Sequence, residues 1–314
     1  MFVTFPPPTP VMREIAPSPQ PALDRTVLAM GTELRLHLEG AGDLGRASEA
    51  ALAESSRIEA ACSTWNPASD WSRLNAAQGA PIHLTAEWIQ LLEQIRTWNL
   101  RTGGAFDPVL MALMQAWGVR EGGRTPDATA LTAARRASGG GLLELDAVHG
   151  TARLRHPGAG LEEGGFLKGY ALDAMRRATA TPAGWLDFGG QVLAWGRPCE
   201  VDIADPQDRH RVRCTISLKG ASLSCSGTSE RGRHILDPRS GEPCPAWGGT
   251  AVVAAEALTA DVLSTALYVL GPDTGLAWAE RHQVAAAFLL NDGSVRMTRA
   301  FRALNPTLIP LESR

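Results

Sequence analysis

The chain has 314 residues, of which 44% are hydrophobic and 20% are charged. Its length and composition are those of an ordinary globular protein with a sizeable core. Thirty Lys and Arg stand against 33 Asp and Glu, which gives a net charge of −3. This balance speaks against a protein that binds nucleic acid or an anionic membrane mainly through its charge.

The first 21 residues contain seven prolines, which predicts a disordered leader over residues 1–24 and no signal peptide. Five scattered cysteines, none in a CxxC pair, predict neither a disulfide framework nor a zinc site and suit a reducing compartment. No apolar run reaches the roughly 18 residues that span a bilayer. These observations predict a cytoplasmic protein.

In chain order, the alternation of apolar and polar residues over Gly31–Leu38 predicts a half-buried strand. Residues 46–62 have helical periodicity. Thr85 is the expected N-cap of a helix that ends at Gly103, and Asp127 is the expected N-cap of a short helix. The segment Leu142–Leu154 predicts a hairpin that turns at residues 149–150.

The second half alternates short strands with helices. Helices are predicted over Gly169–Ala178, Ala260–Leu270 and residues 273–282, and strands over Glu200–Ala204, Val212–Leu218 and Val284–Leu290. Because no regular βαβ rhythm appears, we expect an α+β fold of mixed sheets with packed helices. No linker divides the chain, so residues 25–314 are expected to form a single domain of two intertwined lobes.

One candidate site segment is Glu162–Tyr170, where two glycines and a lysine precede a helix. Glycine lets backbone approach a ligand closely, and a helix N-terminus favours an anion such as phosphate. The spacing is not that of a Walker loop. An ordinary glycine turn beside a solvated Lys168 remains the alternative.

A second segment contains Asp261 and Thr265, which stack on one helical face at i and i+4. A carboxylate and a hydroxyl are hard oxygen ligands of the kind that Mg²⁺ takes. The alternative is that Asp261 complements the helix dipole while Thr265 bonds to a backbone carbonyl.

The third segment contains candidate acid–base residues, and the fourth is a candidate wall of a ligand pocket. His234, Asp237 and Arg239 lie close together at a predicted strand-to-turn junction, and histidine is a natural proton carrier near neutral pH. A purely structural histidine is an equal alternative. The segment Gly103–Pro108 combines an aromatic ring with a carboxylate and is a candidate pocket wall.

In their order, these segments resemble the FAD:protein FMN transferase (ApbE) family. The resemblance covers about residues 26–302 and rests on the following matches: Met30-Gly31-Thr32, Ser63-Thr64-Trp65, Ser72-Arg73-Leu74-Asn75, Gly104–Pro108, Glu162–Asp173, Phe188-Gly189-Gly190, Ile203–Pro206, Ser226-Gly227, His234–Gly241 and Ala260–Ala266. Each motif alone is unspecific, whereas their order and spacing are not.

The resemblance implies that FAD binds in a cleft between two lobes, with Mg²⁺ at its pyrophosphate. It also implies transfer of FMN from FAD to a Ser or Thr hydroxyl of a target flavoprotein, with release of AMP. The implied FAD-site residues are Met30, Trp65, Ala105, Phe106, Asp107, Glu162, Lys168, His234 and Ile235. The implied metal ligands are Asp261, Thr265 and a backbone carbonyl, for which Gly165 is the candidate. His234 is the candidate base, with Asp237 as its alternative or orienting partner.

The chain departs from the family pattern at several positions. Glu162 replaces Asp, Glu163 replaces Leu and Asp187 replaces Asn, and the segment between Gly227 and His234 is shortened. Many relatives are exported, whereas this sequence shows no export signal. Two other functions remain open: an FAD pyrophosphatase that yields FMN and AMP, and a non-enzymatic FAD-binding protein.

Overall fold

The structure is a computed structural model that describes residues 10–12, 20–227 and 234–310. The chain divides into two compact units made of interleaved segments. The first unit comprises residues 1–57, 166–230 and 247–314, and the second comprises residues 58–165 and 231–246.

The secondary structure mixes strands and helices along the whole described chain. The strands are β1 (Pro10–Met12), β2 (Ala22–Ala29), β3 (Thr32–Glu39), β4 (Ile82–His83), β5 (Leu143–Asp146), β6 (Thr151–Leu154), β7 (Ala183–Asp187), β8 (Gln191–Trp195), β9 (Cys199–Ala204), β10 (Val212–Leu218), β11 (Ala221–Gly227), β12 (Leu236–Asp237), β13 (Glu242–Pro243), β14 (Gly248–Ala254), β15 (Ala285–Leu290), β16 (Val295–Met297) and β17 (Thr307–Leu308). The helices are α1 (Leu44–Cys62), α2 (Asp70–Ala76), α3 (Ala86–Arg101), α4 (Met111–Ala116), α5 (Ala128–Arg136), α6 (Leu167–Thr179), α7 (Ala257–Arg281) and α8 (Arg299–Arg302), and two single 3₁₀ turns span Val119–Glu121 and Gly140–Leu142.

The first unit contains two antiparallel sheets. The larger has eight strands in the order β16-β15-β14-β11-β8-β7-β3-β2, and the smaller has four in the order β1-β9-β10-β17. Their inner faces share one core, in which Val201 and Ile216 of the small sheet are buried with Val192 and Leu223 of the large one. Helices α6 and α7 pack on each other, and α7 also packs on β11 and β14. Antiparallel sheets with segregated helices confirm the predicted α+β class.

The hairpin that joins β2 to β3 turns within two residues. Ala29 pairs with Thr32, and Met30 and Gly31 between them both have positive φ, 47° and 71°. Two positive φ angles define the type I′ turn, whose twist matches that of the flanking strands. A non-glycine residue adopts this conformation at a cost, so Met30 is a strained position.

The predicted leader differs from the structure at two places. Strand β2 begins at Ala22, before the expected end of the leader. Pro10–Met12 forms an edge strand that pairs with β9, where proline is tolerated because one side of an edge strand needs no N–H donor. The rest of the predicted leader lies outside the described residues.

The second unit is built from short elements. Helices α2 and α3 contact a three-stranded sheet of order β4-β6-β5. Thr85 and Asp127 cap α3 and α5 by accepting hydrogen bonds from backbone N–H groups, as predicted. The predicted hairpin is formed by β5 and β6. A small core of Leu113, Ala134 and Leu236 joins α4, α5 and β12.

Helix α7 shows why two helices were predicted from its sequence. Gly271 inside it has a non-helical φ of 77°, and Pro272 follows, so the helix is kinked where proline cannot continue the hydrogen-bond ladder. The strands predicted over 200–204, 212–218 and 284–290 are all present within one residue of those bounds. Among the described residues, none of the helices has the length and apolar character that crossing a membrane requires.

Candidate functional site

Helices α6 and α7 of the first unit cross closely at Gly169. A Cβ atom at this position would lie 2.4 Å from the carbonyl oxygen of Ala257 and 2.8 Å from Cβ of Asp261. Both distances are far below van der Waals contact, so a side chain cannot be accommodated there. The absence of a side chain allows the N–H of Gly169 to donate to Asp261 Oδ2 at 2.9 Å.

Asp261 lies on the buried face of α7 with only 5% of its surface exposed. Burial raises its pKa to about 6, while the charge of Lys168 and the hydrogen bond from Gly169 oppose the rise. No hydrogen bond from the part of the chain that the structure describes reaches its other oxygen, Oδ1. The carboxylate therefore has one oxygen fixed by α6 and one available to a ligand.

Three hydroxyls, those of Ser226, Ser264 and Thr265, lie close together on and beside the helix turn that follows Asp261. Thr265 Oγ1 is 3.4 Å from Ser226 Oγ, and Ser226 Oγ is 2.8 Å from Ser264 Oγ. Strand β11 thus brings the Ser226-Gly227 motif against the helix that carries Asp261 and Thr265. These oxygen donors, with the positive charge of Lys168, make one group within the first unit.

The N-terminus of α7 is held by side chains from neighbouring elements. Asp173 of α6 accepts hydrogen bonds from the N–H groups of Ala257 and Leu258, both at 2.9 Å. Gln191 of β8 donates to the carbonyl of Ala257 at 2.7 Å. Backbone N–H groups in the first turn have no partner within the helix, and Asp173 satisfies two of them. The position of Asp261 is therefore set from both α6 and β8.

In the second unit, Arg120 joins residues of two predicted motifs. Its Nη2 atom donates to Thr64 Oγ1 at 2.7 Å and to Glu162 Oε1 at 3.2 Å, and it lies 3.6 Å from Glu163 Oε2. Glu162 Oε2 accepts from the N–H of Gly164 at 2.8 Å. Burial, followed by the charge of Glu162, raises the pKa of Glu163, while hydrogen bonds from Thr64 oppose the rise.

Trp65 forms part of a cavity of about 470 Å³ beside this cluster. The indole is 69% exposed, and Cζ of Arg120 lies 4.3 Å from its ring centroid. The remaining lining mixes polar and thioether side chains: Thr64, Ser72, Asn75, Ala76, Met111, Met114, Gln115 and Glu121. An exposed aromatic face with a few convergent polar groups is typical of a ligand pocket.

The segment Gly104–Pro108 places a buried carboxylate in the second unit. Asp107 accepts hydrogen bonds from the N–H groups of Val109 (2.8 Å) and Gly140 (2.7 Å) and from the Asn99 amide (3.0 Å). Burial raises its pKa to about 6, against the opposing effect of these three hydrogen bonds. Ala105 and Phe106 are buried beside it.

This carboxylate predicts a pH dependence of stability. The pKa of Asp107 in the folded protein is above its ordinary value of 3.8. The contribution of this group to the free energy of unfolding is therefore fully present below about pH 4 and is lost as the pH rises through about 6. We expect the free energy of unfolding of the wild type, relative to Asp107→Asn, to fall by roughly 3 kcal/mol between pH 4 and 7. Denaturant melts at several pH values measure this difference.

Asp292→Asn is the control for that measurement. Hydrogen bonds from Ser294 lower the pKa of the exposed Asp292, so its contribution is lost only as the pH falls below the window in question. A difference between wild type and Asp107→Asn that stays flat from pH 4 to 7 contradicts the expectation.

The two candidate bases, His234 and Asp237, differ in their surroundings. Asp237 binds the guanidinium of Arg239 with both carboxylate oxygens at 2.9 Å and accepts from the N–H of Arg239. Burial alone would raise the pKa of Asp237, but these interactions with Arg239 outweigh burial and lower it. A carboxylate neutralised in this way is a poor proton acceptor. His234 is half-buried, next to the buried Ile235.

The part of the chain that the structure describes contains no cluster of three or more His, Cys, Asp or Glu side chains placed to hold a metal ion. The predicted magnesium set has a single carboxylate, Asp261, with a hydroxyl and a carbonyl. Such a set suits Mg²⁺, which retains waters and phosphate oxygens as its other ligands. The oxygen chemistry around Asp261 and Thr265 therefore fits this ion.

The structure groups the predicted residues by unit. Lys168, Asp261 and Thr265 lie together in the first unit, which also contains Met30 in its strained turn. Trp65 and Glu162 are joined through Arg120 in the second unit, which also contains Gly165, Asp107 and the His234 segment. The sequence reasoning missed Arg120, Asn99 and Ser226. Of these, Ser226 carried a signal, because it belongs to the Ser226-Gly227 motif.

The fold of the chain is similar to that of solved ApbE proteins. The chain is similar to the flavinyl transferase ApbE of Pseudomonas stutzeri, with a TM-score of 0.82, 28% identity and coverage of 91% of this chain and 97% of that one. It is also similar to the ApbE protein of Thermotoga maritima, with a TM-score of 0.85, 26% identity and coverage of 90% and 99%.

Sequence comparison agrees with the fold. A protein of Rhodobacter capsulatus named FAD:protein FMN transferase is 29% identical over 310 residues, which cover 91% of this chain and 59% of that protein. This chain thus spans less than two thirds of that relative's length. A sequence model of the ApbE family matches residues 30–289. The chain belongs to the ApbE family, and the predicted family is confirmed.

Proposed function

We propose that the chain is an FAD:protein FMN transferase that uses Mg²⁺ to transfer FMN from FAD to a Ser or Thr hydroxyl of an acceptor flavoprotein, releasing AMP. The observation that carries this proposal is the Asp261 carboxylate, which is buried at the crossing of α6 and α7 with Lys168 beside it, and whose Oδ1 accepts no hydrogen bond from the described residues. The relatives named for this activity support the identity of the substrates.

In this reaction the acceptor hydroxyl oxygen forms a bond to the phosphorus of the FMN half, and the pyrophosphate P–O bond breaks with AMP as the leaving group. Asp261 and Thr265, with a carbonyl such as that of Gly165, would hold the cation. When bound, Mg²⁺ supplies charge neutralisation at the pyrophosphate. Lys168 adds a second positive charge.

The hydroxyl proton must leave during attack, and His234 is the group that we propose as its acceptor. Asp237 is less suited because Arg239 occupies both of its oxygens and the pKa of Asp237 is lowered. Met30, Trp65, Ala105, Phe106, Asp107, Glu162, Lys168 and the His234-Ile235 pair are proposed to bind FAD. Trp65 is supported most directly, by its exposure beside the cavity.

The test is incubation of the purified chain with FAD, Mg²⁺ and an acceptor flavoprotein, followed by in-gel flavin fluorescence and by chromatography of AMP and FMN. Covalent flavin on the acceptor with equimolar AMP is the expected result. Free FMN and AMP without labelled acceptor would show a pyrophosphatase, and FAD binding without AMP would show a binding protein. Either result overturns the proposal.

His234→Ala is expected to lower kcat for transfer by about two to four powers of ten, because a positioned general base contributes about that factor. FAD affinity measured by equilibrium titration should change far less. Asp237→Asn is the comparison variant, with a smaller expected loss. Full transferase activity of His234→Ala contradicts the assignment of the base.

We also propose a cytoplasmic location. The five cysteines are scattered, with none in a CxxC pair, and four of them are buried, which suits a reducing compartment. Cell fractionation with an antibody to the chain, using marker proteins for each compartment, tests this location. Recovery in an exported fraction contradicts it.

A further inference from the structure

Arg120 occupies a tightly shaped turn beside Trp65. The single 3₁₀ turn Val119–Glu121 lies between Gly118 and Gly122, whose φ angles of 60° and 90° are both in the left-handed region. This turn holds the guanidinium 4.3 Å from the indole centroid. Arginine stacks well on aromatic faces because its guanidinium is planar.

The guanidinium is itself fixed by a chain of hydrogen bonds that ends in a buried carboxylate. The hydroxyl of Thr64 donates to Glu163 Oε2 at 2.5 Å, and the N–H of Thr64 donates to Glu163 Oε1 at 3.0 Å. The hydroxyl proton is thereby committed to Glu163, which leaves an Oγ1 lone pair to accept from Arg120 Nη2 at 2.7 Å. Glu163 is only 9% exposed.

The charges around Arg120 argue against a role in gripping phosphate. Its Nη2 atom faces two carboxylates, Glu162 at 3.2 Å and Glu163 at 3.6 Å, so its positive charge is already balanced within the protein. The contact of the guanidinium that bears on the cavity is its stacking on the indole of Trp65. The guanidinium covers one face of the indole, and much of the rest of the ring is exposed.

We propose that Arg120 is a positioning residue that fixes the indole of Trp65 as a wall of the cavity, and that Glu163 and Thr64 fix Arg120 in turn. The inference rests on the proposed function, because it takes the ligand of this cavity to be the planar part of FAD. A ring system binds better to an aromatic wall that is ordered before binding, since no side-chain freedom is lost in the complex.

The first test needs no ligand. Acrylamide quenching of Trp65 fluorescence is obtained as the difference between the chain and its Trp65→Phe variant. Arg120→Ala, compared with Arg120→Ala combined with Trp65→Phe, is expected to show clearly greater quenching, because the covered face becomes accessible. Glu163→Gln is expected to shift quenching in the same direction by less. Arg136→Ala, an exposed arginine of the same unit, is the matched control.

The second test uses FAD as the probe in a double-mutant cycle. Arg120→Ala is expected to raise Kd for FAD about threefold to tenfold, the factor set by ordering one side chain, and to raise KM more than it lowers kcat. In a Trp65→Ala background the same change should have no further effect. Arg120→Lys should not restore affinity, because an ammonium group does not stack as a plane.

Unchanged quenching in Arg120→Ala overturns the proposal, as do additive effects on Kd in the cycle. If Arg120→Ala fails to fold, Glu163→Gln decides by the same quenching criterion. Failure of the proposed function has a different signature: the wild type binds no FAD and labels no acceptor, while the quenching changes remain. The contact between Arg120 and Trp65 then stands without its proposed ligand.

Discussion

Replacing Gly169 with alanine is expected to lower the free energy of unfolding by about 1–3 kcal/mol, although alanine is the better helix former by about 1 kcal/mol. The new Cβ would meet the backbone carbonyl of Ala257 at 2.4 Å and Cβ of Asp261 at 2.8 Å. Neither contact is the flexible end of a side chain, so α6 and α7 must separate. Denaturant unfolding monitored by circular dichroism measures the loss.

The same substitution should reduce transferase activity beyond its effect on stability. Separation of the helices breaks the hydrogen bond from the N–H of Gly169 to Asp261 and turns the carboxylate away from its place. Gly45→Ala is the matched control, because this glycine is also helical and its nearest neighbour is the Asp43 side chain at 3.3 Å. It should leave activity unchanged. Gly169→Ala with wild-type stability contradicts the described crossing.

Asp261→Asn is expected to lower kcat/KM for FMN transfer by about two to four powers of ten, because a bound metal contributes several kcal/mol to the stabilisation of transition-state charge. The amide oxygen of asparagine can still accept from Gly169, so the fold should persist. Higher Mg²⁺ concentration should restore part of the activity. Steady-state kinetics across a magnesium titration measures both effects.

Asp173→Asn is the matched comparison for Asp261→Asn. Asp173 is a half-buried carboxylate at the crossing of α6 and α7, but both of its oxygens accept hydrogen bonds from N–H groups of α7. The Asp173→Asn variant should lose about 1–3 kcal/mol in the free energy of unfolding. Its transferase activity should depend on magnesium as that of the wild type does. If Asp261→Asn retained wild-type kinetics at every magnesium concentration, the proposed metal site would be wrong.

Local chemistry made several elements predictable. Thr85 and Asp127 are recognisable as N-caps because each precedes a segment predicted to be helical. The side-chain oxygen of such a residue accepts hydrogen bonds from the unpaired N–H groups of the first helical turn. The pairing of strands within the sheets was not predictable, because it joins residues far apart in the chain, such as Arg35 of β3 and Asp187 of β7. The turn at Met30 was also missed, since methionine is not one of the residues that mark a type I′ turn.

For the candidate site, the sequence predicted motifs but not the residues that connect them. Arg120 lies 56 residues from Thr64 and 42 from Glu162, so no helical or strand spacing links them. Asp237 is a weak base because Arg239, only two positions away in the sequence, binds its carboxylate. Without the structure, nothing indicated that the two side chains bind each other rather than a ligand.

The two buried acidic departures from the family pattern share one feature. Glu163, in place of Leu, lies beside Arg120, and Asp187, in place of Asn, pairs with Arg35 at 2.6 Å. An unpaired buried carboxylate is costly, whereas a paired one with hydrogen bonds is tolerated. Each of these two acidic residues thus lies beside an arginine.

The interleaving of the two units has a consequence for synthesis on the ribosome. Strand β3 pairs with β2 and with β7, and its partner residues Arg35 and Asp187 are 152 positions apart. At about 5–20 residues per second, translation of that interval takes roughly 8–30 s. During this time the nascent β2–β3 hairpin exposes the apolar face of Leu34, Leu36 and Leu38, all buried in the finished protein. This hairpin is therefore the segment that a ribosome-associated chaperone would have to shield.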